Sequence, residues 1–264
     1  MDYYWYLHKD QDLRRSSIHC SRIILADTSD IKGYFNTLAG NWNKNYSKSN
    51  LFSERLEKIT KLTSDIQLKG KMVLDIGCGS GMISSYFCEQ RSSVFGIDIS
   101  ENMIQQANSY LQSRNLQAIL SIGDATNLQF PDNYFDVITC VSVLEWLDKD
   151  IEAIREIRRV LKNDGIAIVS VPNKKSLMRI AEKLYFTLKK MISPYFNLKT
   201  GYLAFQKNQY VPDEFDNLCE TTNLKKIDSL YYVTPYSKFN FFKKLSTYRL
   251  FGMIYFVKLQ KVGD

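Results

Sequence analysis

The stretch VLDIGCGSG at residues 73–81 decides the fold of this chain. Its apolar run ends in Asp75, and three glycines follow at alternate positions. Because glycine lets the backbone turn tightly and approach a ligand closely, the stretch predicts a buried strand that ends in a ligand-binding loop. A second run, SVFGID at 93–98, ends in Asp98, where a carboxylate can accept hydrogen bonds from both hydroxyls of a ribose.

Short strands and helices alternate on both sides of this loop. The sequence predicts strands at 71–76, 93–98, 118–123, 134–143 and 165–171, and helices at 51–66, 101–114 and 150–162. This alternation predicts a parallel sheet with helices on both faces.

The order of the glycines separates the candidate ligands. A dinucleotide-binding loop has the order G-x-G-x-x-G, whereas here position 82 is Met82, and no diphosphate-binding G-x-x-x-x-G-K-[ST] motif is present. Asp75 before the loop would repel a pyrophosphate but suits a zwitterionic or cationic ligand. A nicotinamide-dependent oxidoreductase is therefore disfavoured.

The composition is that of a folded protein of 264 residues, with 45% hydrophobic and 24% charged residues. No apolar run approaches the roughly 20 residues that a membrane-spanning helix needs. The N-terminus lacks the charged-then-apolar order of a signal peptide, so we expect a cytoplasmic protein. The five cysteines show no CxxC spacing and only two histidines occur, so we expect no metal site.

These motifs resemble those of the class I S-adenosylmethionine-dependent methyltransferases. Residues 73–81 resemble the first motif of that family, VFGIDIS at 94–100 the second, and the resemblance continues through 123–150 and 158–173. It implies a Rossmann-like, doubly wound, mostly parallel seven-stranded sheet with helices on both faces. It also implies S-adenosylmethionine as the cofactor and S-adenosylhomocysteine as its product.

The resemblance implies a role for each matching position. The glycine loop should pass under the methionine part of the cofactor, with Asp75 near its amino group, Asp98 on the ribose and Ile99 on the adenine. Asp124 and Ala125 should meet the adenine edge, and Tyr34 and Trp42 match an N-terminal helix that often closes over the cofactor in this family. Asp124 could instead cap a turn, and Tyr34 and Trp42 could be ordinary packing aromatics. The full expected cofactor-binding set is Tyr34, Trp42, Asp75, Gly77, Cys78, Gly79, Gly81, Asp98, Ile99, Met103, Asp124, Ala125, Cys140 and Val141.

The methyl donor is already activated, so the protein must chiefly align the acceptor and exclude water. If the acceptor carries a proton that must leave, Glu145, just after the fourth strand, is the candidate base. The structural alternative is that Glu145 caps or pairs at the start of the next helix. Expected substrate-binding residues are aromatic and could equally form the core of a cap: Trp146, Tyr185, Phe186, Tyr202 and Phe205.

The resemblance divides the chain into four parts: an N-terminal helical extension or lid at 1–66, a cofactor-binding core at 67–173, an inserted helical and aromatic substrate cap at 174–208, and a C-terminal part at 209–264 that completes the sheet. Residues 209–233 resemble the usual helix-then-strand ending and 251–262 the final strand.

The last third of the chain, 172–264, holds 16 of the 35 basic residues but 7 of the 28 acidic ones. Within it, 174–192 places apolar residues at helical spacing opposite a row of lysines. We expect a cap helix whose apolar stripe packs on the core. The alternative is a helix that lies on an anionic membrane surface, a weak peripheral contact.

We expect methyl transfer to an oxygen or nitrogen atom of a small-molecule acceptor, apolar or aromatic, such as a quinone or tetrapyrrole-like metabolite. The alternatives are a methyltransferase acting on RNA or protein and a non-catalytic protein that binds S-adenosylmethionine. The basic last third favours RNA or protein to some extent. No Asn-Pro-Pro-aromatic motif follows the fourth strand, so a nucleic-acid base is disfavoured.

Overall fold

The computed structural model describes residues 31–37, 39, 51–192, 206–232 and 248–263. Within these ranges, seven strands form one sheet in the order β3-β2-β1-β4-β5-β7-β6. The strands are β1 (Met72–Ile76), β2 (Ser93–Asp98), β3 (Ile119–Ile122), β4 (Phe135–Val141), β5 (Leu161–Pro172), β6 (Leu224–Tyr232) and β7 (Ile254–Lys261).

Helices connect and cover these strands. They are α1 (Leu51–Leu62), α2 (Met82–Glu89), α3 (Glu101–Ser113), α4 (Asp150–Val160), α5 (Leu177–Ile192) and α6 (Pro212–Glu220), with a one-turn 3-10 helix at Leu144–Trp146. Residues 31–37 are also helical. None of the helices in the described part of the chain combines the length and the apolar character that crossing a bilayer requires.

The first five strands run parallel, and β7 runs antiparallel between β5 and β6. The predicted seven-stranded, mostly parallel sheet is therefore confirmed. Its strand order reverses between β1 and β4, and ligands of open α/β sheets bind in the crevice outside the carboxyl ends of the strands at such a point.

Two hydrophobic clusters cover the two faces of the sheet. Leu74 of β1 packs in the same cluster as Ile157 of α4. Val73, its neighbour on the strand, points to the other face and packs in the cluster that contains Phe87 of α2. Each fully buried side chain of this size stabilises the fold by about 1.5–3 kcal/mol. The two clusters confirm that helices cover both faces of the sheet.

Several predicted boundaries differ from the structure, since α1 ends at Leu62 rather than at 66 and α4 ends at Val160 rather than at 162. The strand predicted at 165–171 starts earlier, because Leu161 pairs with Phe135 at the beginning of β4. The register then shifts between Phe135 and Val137, and Asp164 turns through a positive φ of 61°. The chain thus enters β5 directly after α4 ends at Val160.

Candidate cofactor and acceptor site

The glycine loop after β1 is held against β2. The backbone amides of Gly77 and Cys78 both donate to the carbonyl of Ile97, at 2.8 and 2.9 Å. Gly77 has φ 68°, and a Cβ there would lie 2.3 Å from Cγ2 of Val143, so this position requires glycine for packing as well as for conformation. At Gly79, with φ 51°, a Cβ would meet nothing within 4 Å. The loop therefore leaves space above its middle glycine.

Asp98 connects this loop to the start of α3. Its Oδ2 accepts a hydrogen bond from the amide of Gly79, and its Oδ1 accepts one from the amide of Ser100, both at 2.9 Å. Burial raises the pKa of Asp98 above its ordinary value, although these amides act in the opposite direction. Ile99, the next residue, is exposed at the same edge of the sheet. The carboxylate, the loop and an exposed apolar side chain thus lie at the same edge of the sheet.

Asp75 lies deeper than its predicted role requires. The side chain is buried, and its two oxygens accept hydrogen bonds from Oγ of Ser84 at 2.7 Å and Oγ1 of Thr139 at 2.8 Å. Burial raises the pKa of Asp75 to about 6, with these hydroxyls opposing the increase. The observed contacts tie α2 and β4 to the end of β1, and a contact with a ligand amino group stays a prediction.

Asp124 does cap a turn. Its Oδ1 accepts hydrogen bonds from the backbone amide and from Oγ1 of Thr126, each at 2.8 Å. The side chain is nevertheless exposed and follows β3, beside the end of β2. Oδ1 of Asp124 therefore caps the turn, as the structural alternative expects, and a contact of Asp124 with adenine remains a prediction.

Five other predicted cofactor residues are buried in this structure, and their ligand contacts remain predictions. They are Cys78, Met103, Ala125, Cys140 and Val141. Met103 packs under the first turn of α3, where its amide donates to Oγ of the helix-capping Ser100 at 3.1 Å. Trp42 lies outside the described residues.

The N-terminal helical segment 31–37 reaches both halves of the crevice. On the β2 side, Oγ of Ser100 donates to Oδ1 of Asn36 at 2.6 Å, and Nδ2 of Asn102 donates to the carbonyl of Asn36 at 3.1 Å. On the β4 side, the ring of Phe35 packs edge-on against Trp146 with centroids 5.6 Å apart. The segment therefore spans the crevice, as a lid would.

Tyr34, the predicted residue of this segment, packs edge-on against Phe35 with centroids 5.4 Å apart. The sequence analysis did not single out Asn36 or Phe35. Both belong to the stretch YFN at 34–36, and only their contacts with residues more than 60 positions away identify them.

The chain turns sharply after β4. Ser142 adopts a positive φ of 57°, and its amide donates to Oγ of Ser170 at 2.9 Å. Its carbonyl accepts a hydrogen bond from Nε1 of Trp146 at 2.9 Å. A left-handed conformation at a residue other than glycine is strained, and such strain concentrates at functional sites. This turn sets the position of Glu145.

Glu145 is buried in the one-turn helix, with 4% of its surface exposed. Burial raises its pKa to about 7, and the positive charges of Arg55 and Arg179 offset part of the increase. Among the residues that the structure describes, none donates a hydrogen bond to its Oε2. A buried carboxyl group with a pKa near neutrality and an oxygen still able to accept a proton is suited to acid–base chemistry.

The segment 206–210 fixes this turn from outside. The amides of Lys207 and Asn208 donate to the carbonyl of Glu145 at 2.8 and 3.1 Å. Nδ2 of Asn208 donates to the carbonyls of Leu144 and Leu147 at 3.1 and 2.7 Å. The sequence offers no local signal for Asn208, because its partners lie some 60 positions earlier in the chain.

The predicted substrate-binding residues that the structure describes do not lie together. Trp146 lies beside Glu145, whereas Tyr185 on α5 is exposed. The side chain of Phe186 and the whole of Tyr202 and Phe205 lie outside the described residues. The expectation that the apolar stripe of α5 packs on the core is wrong, because its inward face carries Arg179 and Glu182 instead.

Comparisons with known proteins agree with this geometry. Residues 74–169 match the family described as "Methyltransferase domain". An uncharacterised methyltransferase of Bacillus subtilis is 36% identical over 94 residues, which cover 35% of this chain and 37% of the relative. The ubiquinone biosynthesis O-methyltransferase of Coxiella burnetii is 30% identical over 117 residues, 44% of this chain and 50% of the relative.

Residues 74–169, about a third of the chain, therefore resemble a methyltransferase domain. Among solved structures, the magnesium protoporphyrin IX methyltransferase of Synechocystis, solved with bound SAH, has the same fold. Its TM-score is 0.66 at 17% identity, over 89% of this chain and all of that one. The chain spans about half or less of the length of the two curated relatives named above, so the relationship rests on the core domain.

The residues of this site fit the group that a similarity to methyltransferases implies, namely S-adenosylmethionine. The space above Gly79, the carboxylate of Asp98 and the exposed face of Ile99 lie at one edge of the sheet. A nucleoside with a zwitterionic side chain requires such a set, namely acceptors for ribose hydroxyls, an apolar surface for a base and an open loop. In the described residues, no cluster of His, Cys, Asp and Glu has the size and arrangement to hold a metal ion.

Proposed function

We propose that the protein transfers a methyl group from S-adenosylmethionine to an oxygen or nitrogen atom of a small-molecule acceptor. The observation that carries the proposal is the position of Asp98. Its carboxylate is fixed by two backbone amides at the open carboxyl edge of the sheet, beside a glycine loop with space above it. A ribose can bind there through its hydroxyls without rearrangement of the strands.

The bound S-adenosylmethionine would supply an activated methyl group, so the chain needs no nucleophile of its own. Asp98 would accept the ribose hydroxyls, and the loop around Gly79 would lie against the methionine part. Tyr34 and its helical segment would close over the crevice and exclude water, which strengthens the electrostatic contacts inside. The positions of these side chains around the crevice support these roles.

Glu145 is the proposed base on the acceptor side. It follows the end of β4, on the other side of the crevice from Asp98. When an acceptor hydroxyl or amine is methylated, its proton must leave, and Oε2 of Glu145 would take it. A base whose pKa is about 7 is half deprotonated near neutral pH and is matched to this task. Arg55 and Arg179 would stabilise its charged form.

The proposed acceptor is small and apolar or aromatic. One relative is a ubiquinone biosynthesis O-methyltransferase, and one structural neighbour is a magnesium protoporphyrin IX methyltransferase. These similarities support a small-molecule acceptor over RNA or protein. Trp146, beside Glu145 and under Phe35, offers an aromatic surface of the kind that a flat acceptor would contact.

Calorimetry with S-adenosylhomocysteine tests this proposal. The protein should bind that compound, and NAD should show no comparable binding. Asp98→Ala should weaken the binding by at least about tenfold, because charge-assisted hydrogen bonds contribute on the order of 1.5–3 kcal/mol each. The control is Asp228→Ala, which removes an exposed carboxylate from the edge strand β6, far from the loop. Tight binding of NAD without S-adenosylhomocysteine, or unchanged affinity in Asp98→Ala, would contradict the proposal.

A further inference from the structure

Helix α5 is inverted relative to an ordinary surface helix. Two of its charged residues, Arg179 and Glu182, are buried against the protein, whereas four of its large apolar residues face outward. The exposed fractions are 42% for Leu177, 51% for Ile180, 59% for Leu184 and 49% for Leu188. These four residues recur at steps of three and four, so they form one stripe along the helix. An apolar stripe of this length in water indicates an interaction surface.

Described contacts fix this orientation. Nε of Arg179 donates to the carbonyl of Met253 at 2.9 Å, and the charge of Arg179 acts on the buried Glu145. At the start of the helix, Oγ of Ser176 donates to the carbonyl of Phe251 at 2.9 Å. The backbone amide of Leu177 donates to the carbonyl of Leu250 at 2.8 Å. Rotating the apolar stripe inward would break the bond of Arg179 and remove its charge from Glu145. The apolar stripe therefore faces outward because the opposite face of the helix carries Arg179, which donates to the carbonyl of Met253 and acts electrostatically on Glu145 inside the protein.

The exposed apolar surface continues beyond the helix. Tyr248 and Leu250, which lie next to the first turn of α5, are 57% and 53% exposed. The helix of 16 residues is about 24 Å long, at about 1.5 Å per residue. Stripe and neighbouring turn together form one surface, which we call the α5 face: Leu177, Ile180, Leu184, Leu188, Tyr248 and Leu250.

Positive charge lies at the margin of the α5 face. Lys174 and Lys175 precede the helix and are exposed, and Lys183 is exposed on its flank. The acidic residue of the helix, Glu182, points inward and is buried. Near the turn at 248–250, Asp213 is paired with Arg249 and adds no net negative charge. An apolar centre with a cationic margin complements a surface that is apolar inside and anionic at its boundary.

We propose that the α5 face docks on an anionic lipid surface, with the helix lying in the plane of the interface. In such an arrangement the leucine and isoleucine side chains enter the boundary between headgroups and acyl chains, and the lysines contact anionic headgroups. Tyr248 fits the same level, since tyrosine is enriched at membrane interfaces. A second copy of the chain is a poorer occupant, because pairing two α5 faces would bring the same lysines together. The proposal goes beyond methyl transfer and does not depend on it.

Co-sedimentation with vesicles tests the proposal on the full chain. The protein should pellet with vesicles of phosphatidylcholine and phosphatidylglycerol at low salt. It should pellet much less with phosphatidylcholine alone, and high salt should release it because the lysine contacts are screened. Leu184→Asp should reduce the bound fraction by at least about fivefold, since it places a charge in the middle of the apolar stripe. Lys174→Glu should reduce it by about fivefold through the electrostatic contribution.

Two matched variants control these changes. Ile151→Asp places the same charge at another exposed apolar helix position, on α4, and Lys225→Glu reverses an exposed lysine on the edge strand β6. Both should bind vesicles as the parent protein does. Absence of vesicle binding at low salt, or binding that Leu184→Asp leaves unchanged, would overturn the proposal. A parent dimer that Leu184→Asp converts to a monomer, without vesicle binding, would instead assign the α5 face to a second copy.

Discussion

The two halves of the crevice are built in different ways. On the β1–β2 side, the site consists of backbone amides and one carboxylate from residues 77–100, a continuous part of the chain. On the β4 side, Glu145 is surrounded by Arg55 from α1, Arg179 from α5 and the segment 206–210. The first half is a local arrangement that a motif encodes, and the second is assembled from distant parts.

The largest effect that distinguishes the two halves is expected from Glu145→Gln. If Glu145 is the base, turnover should fall by about a hundredfold or more, whereas S-adenosylhomocysteine affinity should change little. The parent rate should rise with pH through about 7, where Glu145 loses its proton, and the variant rate should lack this rise. Rate–pH profiles with a reactive acceptor and calorimetry measure the two quantities.

Stability against pH provides the control for that variant. Burial raises the folded-state pKa of Glu145 from 4.5 to about 7, so its contribution to stability is fully present below about 4.5 and is lost as the pH rises to about 7. That loss should be on the order of 3 kcal/mol at most, and Glu145→Gln should remove it. A variant that loses this pH dependence but keeps full turnover would show that Glu145 is a buried structural group only.

The next largest effect concerns the two glycines of the loop. Gly77→Ala should destabilise the fold by about 3 kcal/mol, because it combines a left-handed backbone with a Cβ 2.3 Å from Val143. Gly79→Ala should cost about 1 kcal/mol, since only the backbone conformation is strained. Chemical denaturation measures both. S-adenosylhomocysteine affinity, measured on the folded fraction, should show the opposite order. Gly79→Ala should weaken binding more than Gly77→Ala, because the Cβ at position 79 enters the space in which the ligand is proposed to bind.

A second-site change sharpens this test. In a Val143→Ala background the contact at Gly77 is relieved, and the two glycine variants should then differ in stability by less than about 1 kcal/mol. If Gly77→Ala remains much the worse of the two in that background, the contact with Val143 is not the cause.

A smaller effect is expected at the lid. Asn36→Ala removes the acceptor of the Ser100 hydroxyl, while the backbone bond from Asn102 remains. One lost hydrogen bond at a partly exposed site corresponds to about 1 kcal/mol, so S-adenosylhomocysteine affinity should fall by about fivefold. Asn217→Ala, on α6, is a matched control away from the crevice. Unchanged affinity would mean that the segment 31–37 does not close over the ligand.

The comparison also shows what a sequence can predict. The strand pattern and the glycine loop follow from local rules of periodicity and turn conformation, and they are confirmed. In α4 the helical spacing of apolar residues places Ile154, Ile157 and Val160 on the buried face, although Ile151 at its start is exposed. The same pattern fails for α5, where the pairing of Arg179 with distant groups determines the orientation. Periodicity identifies the two faces of a helix, but the contacts across the fold decide which face is buried.

The smallest expected effect is the one that most directly tests this orientation. Leu184→Asp should change the free energy of unfolding by no more than about 0.5 kcal/mol, because Leu184 is 59% exposed and packs against no core cluster in the described structure. Ile157→Asp on α4 is the contrasting variant. There the side chain is fully buried, and a charge in the core should destabilise the protein by several kcal/mol. Urea denaturation of both variants without lipid measures the difference. A large loss of stability in Leu184→Asp would show that the stripe packs on the core in solution, and it would remove the structural basis for the α5 face at the same time.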